Sequence, residues 1–275
     1  MILAAVALGL LIGLSLGALG GGGSILTVPA LVYLLGVAAQ DATTASLVIV
    51  GVTAVAGAVV HAWAGDVRWA AGTVFGLVGA GASWCGTLLN RAVDPHVLLI
   101  AFGVLMAVAA TGMLVRARRP SVARAPVPVG AVVGTDGADA EADVAETSRV
   151  GRTPRWELVA AGLAVGFLTG FLGVGGGFLI VPALVVVLGF PMPVAVGTSL
   201  LVIAMDSAAA MAARVGHVTF DWAVIVPFAL AAVVGTVLGV RVAARLPAAL
   251  LARSFAGLVL AIGVFTVVQS VVSSS

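Results

Sequence analysis

The chain has 275 residues, of which 62% are hydrophobic and 9% charged, and its formal net charge is +2. A soluble domain carries about 25% charged residues, so this composition excludes a water-soluble fold and makes lipid the solvent. All 13 basic residues are arginine, and no basic stripe alternates with aromatics, which excludes a nucleic-acid partner.

The chain runs apolar from Ile2 and lacks the basic leader of a signal peptide, so residues 2–19 are expected to be a retained span. A glycine cluster, Gly20–Gly23, follows, and then an apolar segment over 24–36. Thirteen residues make a helix of about 20 Å, against a hydrocarbon core of about 30 Å. This segment is therefore predicted to be a short or discontinuous helix. Pro29 is placed in its early turns, where a missing N–H costs little. Three longer apolar segments follow, over about 43–62, 67–89 and 96–115. Cys85 lies in the second of these and reads as a buried, inert thiol. A lone cysteine excludes a Cys-rich metal site, and no HExxH motif occurs, so neither metal nor cofactor is expected.

Residues 117–153 change character, being rich in proline, glycine, alanine and acids, and read as a solvated linker. Seven arginines cluster at its two ends: Arg116, Arg118, Arg119 and Arg124 at the first, and Arg149, Arg152 and Arg155 at the second. The positive-inside rule places this linker in the cytoplasm. Five apolar segments then recur, over about 156–174, 177–189, 194–213, 219–241 and 248–270. The second is again short, and it carries Pro182.

The two halves are related by a constant offset of 153 residues. GLSLGALGGGGSILTVPAL at 13–31 returns as GFLTGFLGVGGGFLIVPAL at 166–184. The prediction is an all-α polytopic membrane protein with two homologous repeats, 1–116 and 154–275. Each has about four long helices and one short or broken helix. If the short segment also crosses, each repeat crosses five times. The repeats are then inverted, both termini lie outside, and Arg241, Arg245 and Arg253 fall on the cytoplasmic side. If the short segment only dips in, those arginines fall outside. The charge bias favours the crossing.

An apolar chain with glycine-broken segments at corresponding places points to a transporter binding site. The candidate substrate residues are Gly20, Gly21, Gly22, Gly23 and Ser24 in the first half, with Gly173, Gly175, Gly176 and Gly177 in the second. A helix starting just after such a cluster offers free N–H groups and the positive end of its dipole to an anion. Ser24 is placed as the N-cap of that helix. The competing reading is close helix packing through small residues. Thr43, Thr44 and Ser46, which align with Val196, Gly197 and Ser199, and Thr198 beside them, could donate hydroxyls to the same anion or cap helices. Asp206 lies well inside an apolar run. It is the candidate for proton coupling, or for pairing with Arg214, because burial in lipid disfavours its charge. His61 and His217, near segment ends, could shuttle protons but read as interfacial polar residues. Trp63, Trp69 and Trp222 read as interfacial anchors beside Asp66, Arg68 and Asp221.

The paired glycine–proline segments resemble the sulfite exporter TauE/SafE family, also called the toluene sulfonate uptake permease family. The resemblance continues through ATTASL at 42–47 and AVGTSL at 195–200, and through HAWAGDVRW at 61–69 and RVGHVTFDW at 214–222. It spans almost the whole chain outside the linker. The chain departs from the family pattern at ATTAS, where AVGTS is more typical, and in its long acidic linker. The resemblance implies transport of a small sulfur-containing or organic anion, such as sulfite or an organosulfonate, across the cell membrane. It implies no ATP hydrolysis, and coupling to protons. Three other classes are weighed against it: a passive anion channel, a structural partner of another membrane complex (oligomers are compatible with either) and an intramembrane enzyme. Ser24 and His61 could be cast as a serine–histidine pair, but the serine lacks a nucleophile context.

Overall fold

The structure, a computed structural model, describes residues 2–90, 93, 95–118, 155–172, 177–212 and 222–273. Gly173, Gly175, Gly176, Arg91, Asp94, Arg214, His217, Asp221 and nearly all of the proposed linker lie outside them, as does the side chain of His96. The described residues form ten α-helical segments. In the first half these are α1 (Ile2–Leu19), α2 (Gly22–Pro29), α3 (Ala39–Trp63), α4 (Trp69–Asn90) and α5 (Pro95–Arg118). In the second they are α6 (Arg155–Leu172), α7 (Gly177–Pro182), α8 (Met192–Ala212), α9 (Trp222–Ala243) and α10 (Ala248–Ser273). Among the described residues, four stretches are long and apolar enough to cross a membrane: Asp41–Trp63, Trp69–Asn90, Met192–Ala212 and Ile225–Ala243. The sequence reading expects eight. The other four long segments contribute shorter apolar stretches, Leu3–Leu19, Ala101–Val115, Trp156–Leu172 and Ala248–Val264.

α2 and α7 are short, as their lengths predict, but their prolines do a different job from the one expected. Pro29 is the last of the eight residues of α2, and Pro182 the last of the six of α7. Neither sits where the first N–H groups are free. A proline cannot donate to the carbonyl four residues back and its ring crowds that carbonyl. The chain continues instead as a wider π turn, Ala30–Leu34 after α2 and Ala183–Val187 after α7. Both turns then stop at a glycine with left-handed φ, +68° at Gly36 and +73° at Gly189. Val37 N–H closes on Leu31 O at 3.0 Å, and Phe190 N–H on Leu184 O at 2.9 Å.

The helices pair across the two halves. α1 lies along α9, α6 along α4, α3 along α8 and α5 along α10. In lipid there is no hydrophobic gain from bringing two apolar helices together, so close backbone approach and van der Waals contact must hold them. The first two pairs are glycine seams. Gly9, Gly13 and Gly17 of α1 face the backbone of Phe228, Ala232 and Thr236, and Gly235 and Gly239 of α9 face Leu10 and Leu14. Gly162, Gly166 and Gly170 of α6 face Phe75, Gly79 and Ser83, while Gly86 of α4 faces Phe167. Each seam also carries a polar bond. Thr236 Oγ1 donates to Gly13 O at 3.1 Å, and Asn90 Nδ2 donates to Phe171 O at 2.6 Å. The largest buried core cluster draws on both halves, from Phe75 and Met106 to Phe178, Leu200 and Phe255. Phe102 and Phe178 meet edge to face with centroids 5.6 Å apart.

Cys85 corrects an expectation. It is exposed on the outer surface of α4, not buried, because the inward positions of that turn are taken by Ala82 and Gly86. A charged maleimide is expected to fail to label Cys85 in native membranes and to label it once the protein is unfolded in detergent. Equal labelling by the charged reagent would place that turn of α4 in water. Trp63, Trp69 and Trp222 are exposed at helix ends, where anchors belong.

Candidate functional site

The site is built where the two broken segments meet. α1 ends at Leu19, and Gly20 turns the chain with φ +75°, a conformation costly for any residue with a β-carbon. α2 then starts inside the glycine cluster, at Gly22. Gly21 lies backbone to backbone against Gly177, the first residue of α7; a β-carbon at Gly21 would overlap the Gly177 carbonyl. A β-carbon at Gly177 would sit 2.7 Å from Ser24 Oγ and 3.1 Å from Ile203 Cδ1. One at Gly20 would sit 2.7 Å from Ser199 Oγ and 2.9 Å from Val181 Cγ2. The structure thus gathers Gly20, Gly21, Ser24, Gly177 and Ser199, from three segments far apart in sequence, around one crossing.

Other predicted residues fall elsewhere. Gly22 faces Leu258 and Phe255 of α10, and Gly23 faces Ile12 and Leu16 of α1, so both serve packing in this conformation. Ser24 is not the N-cap of α2. That position belongs to Gly21, with no side-chain cap bond, and Ser24 Oγ instead donates to Gly21 O at 2.7 Å. Thr44 and Ser46 are buried on α3, along α8, and Ser46 Oγ donates to Thr43 O at 2.7 Å. These residues do not cap α3, whose N-cap is Ala38. Thr198 is fully buried but turns toward the start of α4, where it accepts from the Arg68 N–H at 3.2 Å. Ser199 is fully buried at the crossing and donates to Val196 O at 2.8 Å.

These bonds limit the chemistry. Ser24 and Ser199 both give their hydroxyl hydrogens to helix carbonyls, so they present oxygen lone pairs outward. To donate to an anion each must rotate and give up a bond worth about 1 kcal/mol. The groups that need no such rotation are the first amides and the dipole at the start of α2, although the Ser24 N–H already closes on Gly21 O at 3.3 Å. Asp206 is half-buried on α8. It lies seven residues after Ser199 and three after Ile203, which puts it on the same helix face as the crossing.

Two signals in the sequence went unread. The spacing of four in Gly9, Gly13 and Gly17, returning in Gly162, Gly166 and Gly170, is a helix-pairing pattern. His61, read as interfacial, is 4% exposed and packs between helices.

A family model described as Sulfite exporter TauE/SafE matches residues 5–266. Two curated relatives from two strains of Xylella fastidiosa, each called "Probable membrane transporter protein", are 33% identical over 263 residues, covering 94% of this chain and 92% of theirs. "Probable membrane transporter protein YunE" of Bacillus subtilis is 27% identical over 227 residues, covering 79% of this chain and 80% of its own. No solved structure matches the chain. With its apolar helices, the chain is a multi-pass membrane transporter, and it belongs to the sulfite exporter TauE/SafE family.

Proposed function

We propose that the protein is a secondary transporter for a small anion, sulfite or an organosulfonate, working across the cell membrane without enzymatic chemistry. The observation that carries this reading is the crossing of Gly21 on Gly177. Two interrupted segments, one from each half, place their starts against each other within a bundle of apolar helices. Interrupted helices whose ends face each other are the usual membrane device for holding an ion, because unwound backbone supplies the polar groups that lipid cannot. In this conformation the backbones touch, so the crossing acts as the closed constriction. Separation of α2 from α7 opens it, exposing Ser24, Ser199 and the amides of α2 to the anion. By the repeat in the sequence Gly173, Gly175 and Gly176, outside the described residues, are assigned to the same anion as their first-half counterparts; Thr43, Thr44 and Ser46 on α3 and Thr198 on α8 are the further hydroxyl candidates, and Asp206 is a coupling group on the α8 face. In this reading the two halves are inverted repeats, each crossing five times, with residues 117–153 in the cytoplasm. Lipid, the anion and protons are its partners.

The reading is tested on purified protein with sulfite, thiosulfate, sulfate and short sulfonates. A ligand that binds only the folded state at a hundredfold its dissociation constant adds about 2.7 kcal/mol of stability. Sulfite or a sulfonate is expected to raise the melting temperature by several degrees, and sulfate by less. Counterflow of labelled sulfite in proteoliposomes then separates a carrier from a channel. A flat thermal screen together with absent counterflow would reject the anion carrier.

A further inference from the structure

The last turn of α3 holds an unusual side chain. His61 is 4% exposed, and both of its ring nitrogens are enclosed by protein without a hydrogen-bond partner. Buried polar atoms are paired in the great majority of cases, and an exception asks for an explanation. The chain itself places a carboxylate beside this one. Gly65, with φ +78°, ends α3 in a left-handed turn. Gly65 N–H closes on Ala62 O at 3.0 Å, and Asp66 N–H closes on His61 O at 2.9 Å. This double closure is the Schellman cap. It folds Asp66 back over the helix end, so that Oδ2 lies 3.7 Å from His61 Nδ1. That is ion-pair range but too long for a hydrogen bond.

We propose that His61 and Asp66 form a proton-binding site, reached from water at the α3–α4 connection through the half-exposed Asp66. The proton comes from bulk water and forms a bond to an imidazole nitrogen. The imidazolium then donates to the carboxylate as the two close by about 1 Å, the usual length of a charge-assisted bond. No other group is consumed. Unprotonated, the ring keeps its enclosed nitrogens unpaired and Asp66 faces water, its side chain 32% exposed. Among the described residues, the elements packed on the ring bring no competing charge. α1 presents the backbone of Gly17, close enough to interact with the ring though outside hydrogen-bond geometry, and α8 presents Gly197, where a β-carbon would lie 2.9 Å from His61 Cβ. The nearby Arg68 holds its guanidinium over the Phe190 ring, 5.1 Å from the centroid.

The site is well placed to act on the crossing. Gly197 is two residues before Ser199, and Thr198 between them is bonded to Arg68 of the same connection. Movement of the ring therefore presses on the turn of α8 that carries Ser199. This link to transport rests on the anion-carrier reading; the proton site does not.

The test uses full-length protein labelled with 15N-histidine in nanodiscs. The chain has 3 histidines, so the His61 signals are assigned by their loss in His61→Gln. In wild type those signals are expected to change reversibly as the pH is lowered through the range in which the protein stays folded, and Asp66→Asn is expected to displace the midpoint. Signals that stay constant across that range, or a midpoint indifferent to Asp66→Asn, overturn the site. Asp66→Asn lies in a connection rather than a helix, so it keeps the test alive if His61→Gln does not fold. Sulfite then separates the two readings. A midpoint displaced by sulfite ties the proton site to the anion, by reciprocity of coupling. An undisplaced midpoint with no thermal shift counts against sulfite and leaves the proton site standing.

Discussion

Gly13→Leu and Gly166→Leu are each expected to prevent accumulation of folded protein, and the alanine versions to lower stability by about 1–3 kcal/mol. The reason is the two glycine seams. A β-carbon at Gly13 overlaps the backbone of Ala232, and one at Gly166 overlaps the backbone of Gly79. Backbone cannot rotate away as a side-chain end can, so the helices must separate. Separation loses the dispersion contacts that replace hydrophobic driving force in lipid. At the first seam it also stretches the Thr236–Gly13 bond. Gly81 and Gly257 provide the control, since a β-carbon there meets nothing within 4 Å. Alanine at either should be neutral or slightly stabilising, because it restricts the unfolded chain. Fluorescence-detected gel filtration across a temperature series reads all six variants. Equal melting of Gly13→Ala, Gly166→Ala and Gly257→Ala would sink the seam argument.

The positions of the helices were legible in the sequence because lipid imposes them. Segments read at 2–19 and 67–89 correspond to α1 at Ile2–Leu19 and α4 at Trp69–Asn90. The short segments were legible from length alone. What composition could not show was pairing. The sequence places Gly13 and Gly21 in one motif, but the structure separates their duties. Gly13 holds α1 to α9, and Gly21 meets α7. That division depends on which helix each face meets, which is a property of the three-dimensional arrangement. Ser24 was misread for a local reason: as the third residue of α2 its hydroxyl reaches the carbonyl three residues back, a choice open to serine in any helix. His61 was misread because depth along a helix and burial within the bundle are separate coordinates. Trp63, two residues on, is exposed while His61 is enclosed.

Gly21→Ala is expected to reduce sulfite counterflow by about a hundredfold or more, a barrier increase of about 2.7 kcal/mol, while the bundle remains folded. The added carbon collides with the Gly177 carbonyl and the Phe178 backbone, where the starts of the two interrupted segments meet. The four helix pairs lie elsewhere, so the damage is confined to the crossing. Gly22→Ala makes a useful comparison within the same cluster. The atom in its way is Leu258 Cδ2 at 2.9 Å, the end of a flexible side chain on α10, which can shift at small cost. If every glycine of the cluster served the anion equally, the two variants would lose flux together. If the crossing is the constriction, Gly21→Ala falls far below Gly22→Ala, and Gly177→Ala falls between them, since its carbon crowds Ser24 Oγ, a side-chain atom at the crossing itself. Gly21→Ala with wild-type flux and a wild-type melting curve would remove the crossing from the transport path.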